Sequence, residues 1–318
     1  MKRIRVWLWM ALLGTLVLTA CTDPILTPQV IVTTPVPNNT PTPIPPTMTP
    51  SPTPEPQAAL INGQPILLAD YEREVALYVE SMAAAGQDAS TDEGQDAVAQ
   101  GRSLVLEMMI NQVLIEQAAQ VAGVTVSDEE LDSTIQMLRE ETGEEAFQKW
   151  LADQGMSPEE FRVRLRRDMI ATQMANRAVE VVPTHSEHIH ARHILANSEE
   201  EARQILSQLQ AGGDFVSLAR TYSQDTSTRD TGGDLGLFPP GILTAPEVEA
   251  VAFALQPGQF SDVIQSSMGY HIVQLVERVP DMEIDPEHMR LLREKASREW
   301  LEGLRTAATI ERFVASTP

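Results

Sequence analysis

From Ala58 to Val182 the apolar positions recur at helical spacing. Tyr71, Val75, Tyr78, Val79 and Met82 form one stripe, and Leu104 to Val121 is a longer apolar stretch that Gly123 brings to a stop. Ser127 with Glu130 reads as a capping box opening a helix that carries Leu131, Ile135 and Leu138. Ser157, Pro158 and Glu160 open another, with Phe161, Leu165 and Met169 inward, after Gly155 closes the helix before it. After Pro183 the period changes. Residues 188–196 alternate as a strand with Ile189, Ala191, His193 and Leu195 on one face. Ser198 and Glu201 cap a helix ending at Gly212-Gly213, Asp214 opens a second, and Pro246 opens a third carrying Val248, Val251, Ala252 and Leu255. A last strand covers roughly Tyr270 to Val279, with a short strand expected near the Gly-rich 232–236. From Asp285 a final helix places Met289, Leu292, Ala296 and Trp300 on one stripe; lacking a strand partner, it is expected to pack on the helical domain. The fold class is α+β.

The first 57 residues obey neither period. A basic start (Lys2, Arg3, Arg5), an apolar run from Val6 and small residues before Cys21 form an export signal. A retained transmembrane anchor is the competing reading, but the run is short against the ~20 apolar residues a span needs. Leu18-Thr19-Ala20-Cys21 resembles the bacterial lipobox, which implies cleavage before Cys21 and lipid on that residue. Residues 22–57 hold more than half of the 22 prolines and only Asp23 and Glu55 as charges. Such a segment cannot bury enough surface to offset ordering entropy and is expected to be an extended stalk. The expected organisation is therefore signal peptide 1–20, lipidated cysteine and stalk 21–57, helical domain 58–183, a mixed domain 184–280 and a C-terminal helix 281–318.

Charge and cysteine count narrow the function. A net charge of −22 argues against nucleic acid as partner, and a single cysteine excludes an internal disulfide. Four of the six histidines, His185, His188, His190 and His193, fall between residues 185 and 193 and invite a metal reading. His188 and His190 share a strand face, but His193 points the other way, no cysteine completes a set, and a solvent-facing strand edge accounts for the outer three. The helical domain shows no reactive constellation.

The mixed domain resembles the parvulin (PpiC-like) peptidyl-prolyl isomerases at separate places in the family's order. Ala191-Arg192-His193-Ile194-Leu195 is similar to the first strand, Asp214-Phe215-Val216-Ser217-Leu218-Ala219 to the second helix, Gly233-Asp234-Leu235-Gly236-Leu237-Phe238 to the loop after it, and Met268-Gly269-Tyr270-His271-Ile272-Val273 to the closing strand. With the lipobox, helical region and closing helix, the arrangement resembles the PrsA-type and SurA-type foldases. The resemblance implies a small antiparallel sheet with surrounding helices and a cofactor-free isomerase acting on Xaa-Pro bonds of unfolded or newly exported polypeptides. It also implies a place outside the cytoplasmic membrane, held to its outer face by lipid; a homodimer is left open. His193 and His271 match the paired histidines, Asp225 the Cys-or-Asp position beside the reacting carbonyl, and Ser266 the hydroxyl bonded to the pair. Leu235, Phe238, Leu243 and Val248 fall around the proline pocket. Val248 stands where the family often has Phe, implying a shallower pocket, and the loop from Asp225 to Asp234 is one residue longer than in many relatives. Glu199, Glu200 and Glu201 follow the first strand where phosphate-recognising parvulins carry basic residues. The rival reading is a holdase whose isomerase domain is vestigial.

Overall fold

The computed structural model describes residues 55–314. The export signal, Cys21 and nearly all of the stalk lie outside the described residues. In chain order the elements are β1 (Gln57–Ile61), β2 (Gln64–Leu67), α1 (Leu68–Ala84), α2 (Asp92–Ala122), α3 (Asp128–Thr142), α4 (Glu144–Asp153), α5 (Pro158–Val179), β3 (His185–Ala196), α6 (Glu199–Gln210), α7 (Phe215–Tyr222), β4 (Asp234–Phe238), α8 (Pro246–Ala254), β5 (Ile264–Ser266), β6 (Gly269–Glu283), α9 (Pro286–Ala307) and β7 (Ile310–Arg312). They form two compact units, one of residues up to Thr172 together with those from Leu304 onward, the other Gln173–Gly303.

The first unit departs from a purely helical reading at its start. Asn62 and Gly63, with φ of 48° and 85°, make a two-residue turn that joins β1 to β2 antiparallel. β7 pairs with the other edge of β1, Ile61 opposite Ile310, giving the sheet order β2-β1-β7. Ala58, Ala59, Ile61 and Ile66 pack with Tyr71 and Val75 of α1 and with Leu106, Ile110 and Leu114 of α2 in one core, and Leu304 and Ile310 lean on it. Glu107 on α2 accepts ion pairs from both Arg305 and Arg312, so the same helix holds the C-terminal segment electrostatically. α2 begins earlier than its apolar run suggests, because Thr91 caps it through the Gly94 N–H.

The helices α3 to α5 follow the capping chemistry. Ser127 and Glu130 satisfy each other's backbone N–H groups at the start of α3, and Ser157 and Glu160 do the same for α5. Phe147, Leu151 and Phe161 form a smaller core in which the Phe147 and Phe161 rings meet edge to face at 5.4 Å.

In the second unit an antiparallel sheet of order β4-β3-β6-β5 is covered on both faces. Ile194, Ala196 and Ile272 pack against α6 and α7, whereas Ile189, Ala191, Val273 and Leu275 pack against Phe238 and the α8 residues Val248 and Ala252. The alternation along β3 and β6 therefore puts His193 and His271 on the α8 face. β5 is an element the sequence reading did not anticipate. α8 is fixed to the sheet by Arg278 of β6, which donates to the carbonyls of Phe253 and Leu255 at 2.6 and 2.9 Å, satisfying carbonyls at the helix end.

The double cover also corrects one expectation. His188 does not lie on a solvent-facing edge: it is 1% exposed, its Nδ1 bonded to the Ser186 carbonyl at 3.1 Å, while its Nε2 is buried without a hydrogen-bond partner.

Candidate functional site

β3 and β6 are paired so that His193 lies opposite Val273 and Leu195 opposite His271. The two histidines are thus diagonal neighbours on one face, close enough for side chains to meet across the strands. Their rings are 5.7 Å apart and inclined by 23°, and Nδ1 faces Nδ1 at 3.4 Å. His193 is 8% and His271 1% exposed. Two buried imidazoles need partners for their outer nitrogens, and both have them. His271 Nε2 meets Ser266 Oγ at 2.7 Å, and His193 Nε2 meets Asp225 Oδ2 at 2.6 Å.

Asp225 is held by the loop after α7. Its Oδ1 accepts from the Ser227 N–H at 3.0 Å and the Ser227 hydroxyl at 2.6 Å, an Asx turn, and its Oδ2 accepts from Thr228 Oγ1 at 2.5 Å. Partial burial pushes the carboxyl upward, but these donors together with His193 outweigh it and hold Asp225 well below the usual carboxylate range. It is therefore ionised and acceptor-only.

An acceptor-only carboxylate at one end requires a hydrogen on His193 Nε2, and with both rings neutral the other hydrogens along the chain follow. His193 donates from Nε2 to Asp225, which leaves its Nδ1 bare in the neutral ring. His271 donates from Nδ1 to His193, and its own bare Nε2 accepts from the Ser266 hydroxyl, whose oxygen accepts from the Met268 N–H at 3.0 Å. Burial, reinforced by the neighbouring His193, lowers His271 to about 4, so it is uncharged at neutral pH. Each of the four side chains thus has its hydrogen-bonding role set by its neighbour in the chain.

Gly233 makes the turn before β4 and explains why the loop can lie so close to β3. Its φ is +78°, its carbonyl accepts from the His193 N–H at 2.8 Å, and a methyl built on it would fall 2.0 Å from the His193 carbonyl oxygen.

The sequence-derived pocket residues gather in one apolar cluster on the α8 face. Phe238 is 1% and Val248 2% exposed, whereas Leu235 and Leu243 keep part of their surface. Of these four, only Leu235 and Leu243 therefore carry surface that a ligand can reach without rearrangement. Phe238 is further fixed edge-on against Phe253 at 6.1 Å.

Sequence reasoning missed Ser227 and Thr228, although the Asp-x-Ser-Thr run carries the signature of an Asx turn. It also missed a second histidine–carboxylate pair, His190 Nε2 to Asp234 Oδ1 at 2.6 Å, whose partners lie 44 residues apart on β3 and β4. Asp234 is pushed up by burial but held low overall by the Gly236 N–H and His190. The clustered histidines thus separate: His190 turns to Asp234, His193 to Asp225, His188 into the core. Among the described residues no group of three or more histidine, cysteine or carboxylate side chains is placed to hold a metal ion.

Comparison with known proteins gives matches over both units. Residues 185–277 match the family model described as the PPIC-type PPIASE domain, and residues 47–175 match the SurA-like N-terminal domain. The foldase protein PrsA of Caldanaerobacter subterraneus is 31% identical over 231 residues, covering 68% of this chain and 72% of that protein. Foldase protein PrsA 2 of Bacillus cereus is 33% identical over 182 residues, 56% of this chain and 61% of that protein. The chain thus spans about three fifths of the length of the Bacillus foldases it matches. The crystal structure of the peptidylprolyl isomerase PrsA from Bacillus anthracis is 30% identical, covering 64% of this chain and 94% of that one, with a TM-score of 0.43.

Proposed function

The chain belongs to the PrsA family of foldases, and from that premise we propose that it is a peptidyl-prolyl cis-trans isomerase that assists the folding of exported polypeptides. The observation that carries the proposal is the continuous chain Asp225, His193, His271, Ser266 beside an apolar cluster, with an ionised carboxylate at one end.

The reaction is rotation about a bond whose barrier is about 18–20 kcal/mol, because resonance gives the peptide C–N bond double-bond character. The same resonance places negative charge on the carbonyl oxygen. A fixed negative charge near that oxygen raises the planar amide more than the twisted one, in which conjugation is lost. Asp225 is suited to this role rather than to nucleophilic attack, since its oxygens already accept from Ser227, Thr228 and His193. The histidine pair and Ser266 orient the carboxylate's partner. The cluster containing Leu235, Phe238, Leu243 and Val248 would grip the proline ring, holding one end of the bond while the other turns.

Cys21 and the run before it support export and attachment by lipid to the outer face of the cytoplasmic membrane, with residues 22–57 as spacer. Leu104 and Met108, one turn apart on α2 and 54% and 61% exposed, favour a second, holding activity of the helical unit toward unfolded clients. A protease-coupled assay of a Xaa-Pro tetrapeptide with the purified chain tests the proposal: accelerated isomerisation is expected. No acceleration, with suppression of client aggregation retained, would leave the non-catalytic holdase.

A further inference from the structure

Glu249 lies in the first turn of α8, and its carboxylate accepts two backbone hydrogen bonds from the loop that leads into that helix. Gly241 N donates to Oε1 at 2.7 Å and Leu243 N to Oε2 at 2.8 Å. Because each oxygen takes a separate donor, the carboxylate fixes the orientation of the loop as well as its distance. This loop joins β4 to α8 and carries Leu243, one of the two partly open members of the apolar cluster.

The same loop is met by α9. Lys295 Nζ donates to the Gly241 carbonyl at 3.2 Å, and a methyl placed on Gly241 would lie 2.9 Å from Leu292 Cδ2. The flanking polar groups of Gly241 are therefore held from two sides, its N–H by a carboxylate and its carbonyl by an ammonium. Leu292 and Lys295 lie beyond residues 185–277, the stretch that matches the isomerase domain model.

We propose that Glu249 and Lys295 are positioning residues that set the wall of the proline-binding cluster, so that α9 is a working part of the site; this rests on the isomerase reading above. A loop ordered before substrate arrives spares binding the cost of ordering it. Loosening the wall weakens the grip on proline in the ground and transition states alike, which raises KM and leaves kcat. Loss of Asp225 acts on the rotating amide and lowers kcat instead.

The test uses the full chain with Lys295→Met, Glu249→Gln and, as the conservative variant, Lys295→Arg. Steady-state turnover of a Xaa-Pro tetrapeptide is measured beside melting curves and hydrogen exchange of the Gly241 and Leu243 amides. Lys295→Met and Glu249→Gln are expected to raise KM roughly three- to tenfold with kcat within about twofold, and Lys295→Arg to restore KM. Faster exchange at both amides is expected in Lys295→Met. A Lys295→Met variant with wild-type KM, or a loss of melting temperature that Lys295→Arg repairs without repairing KM, overturns the proposal. If the wild-type chain turns over no peptide, the isomerase reading fails by itself; the brace is then judged by exchange, and unchanged protection at Gly241 and Leu243 in Lys295→Met overturns it.

Discussion

His193 and His271 meet Nδ1 to Nδ1 at 3.4 Å although neither is the other's register partner, and only one hydrogen can lie between them. That constraint ties the placement of hydrogens in a buried pair to Asp225 at one end and Ser266 at the other.

Removing the charged end is the most direct probe. Asp225→Ala takes the carboxylate from the site, and in the folded variant kcat/KM is expected to fall about tenfold or more, about 1.4 kcal/mol of transition-state stabilisation. Wild-type turnover by a folded Asp225→Ala protein would remove the electrostatic argument.

Acid is expected to destabilise the second unit in two successive windows. His271 titrates at about 4 in the folded chain against an ordinary 6.5, so between those values the unfolded chain binds the extra proton and stability falls as pH falls. The contribution is on the order of 3 kcal/mol at most. Asp225 has a depressed folded pKa, so its contribution is present above the ordinary carboxylate range and is lost below it. Melting temperatures of the wild type and His271→Gln between pH 7 and 4 should converge as pH falls; parallel curves would contradict the burial argument.

Two glycines, Gly233 in the turn before β4 and Gly236 within β4, separate strain from collision. Gly233→Ala forces a methyl onto the His193 carbonyl and is expected to cost about 3 kcal/mol or more, whereas Gly236→Ala, with a φ of +72° and open space around it, should cost only about 1–2 kcal/mol. Denaturant midpoints of the two variants check the ordering, which fails if they are equal.

The anchor is tested outside the described residues. Cys21→Ser should accumulate as unlipidated precursor, read by labelling with a palmitate analogue; label retained by the variant would place the lipid elsewhere.

What was legible in the sequence follows from how local each signal is. Capping residues act within four positions, so the starts of α3, α5, α6 and α7 stand out at Ser127, Ser157, Ser198 and Asp214. The β1–β2 hairpin was missed despite Asn62-Gly63, because β1 has buried residues on successive positions and so shows no alternation. The burial of His188 was missed for a related reason: a strand's period says which residues share a face, not whether a helix covers that face. Among the candidate site residues, the motif context marked His193, Asp225, Ser266 and His271. Lys295 carries no such mark, and the pairing of His190 with Asp234 joins residues 44 apart, so both contacts depend on where the loops and α9 come to rest.

The strand β7 bears on when the first unit can be finished. Asn62 and Thr309 are bonded to each other across 247 residues, and β1 has no partner on one edge until β7 arrives. A chain that emerges N-terminus first presents α1 and α2 well before β7. The edge of β1 that β7 covers therefore has no partner until residues 310–312 arrive, and closing so long a loop carries an entropic cost. Completion of the first unit therefore requires residues 57–61 and 310–312 to be present together.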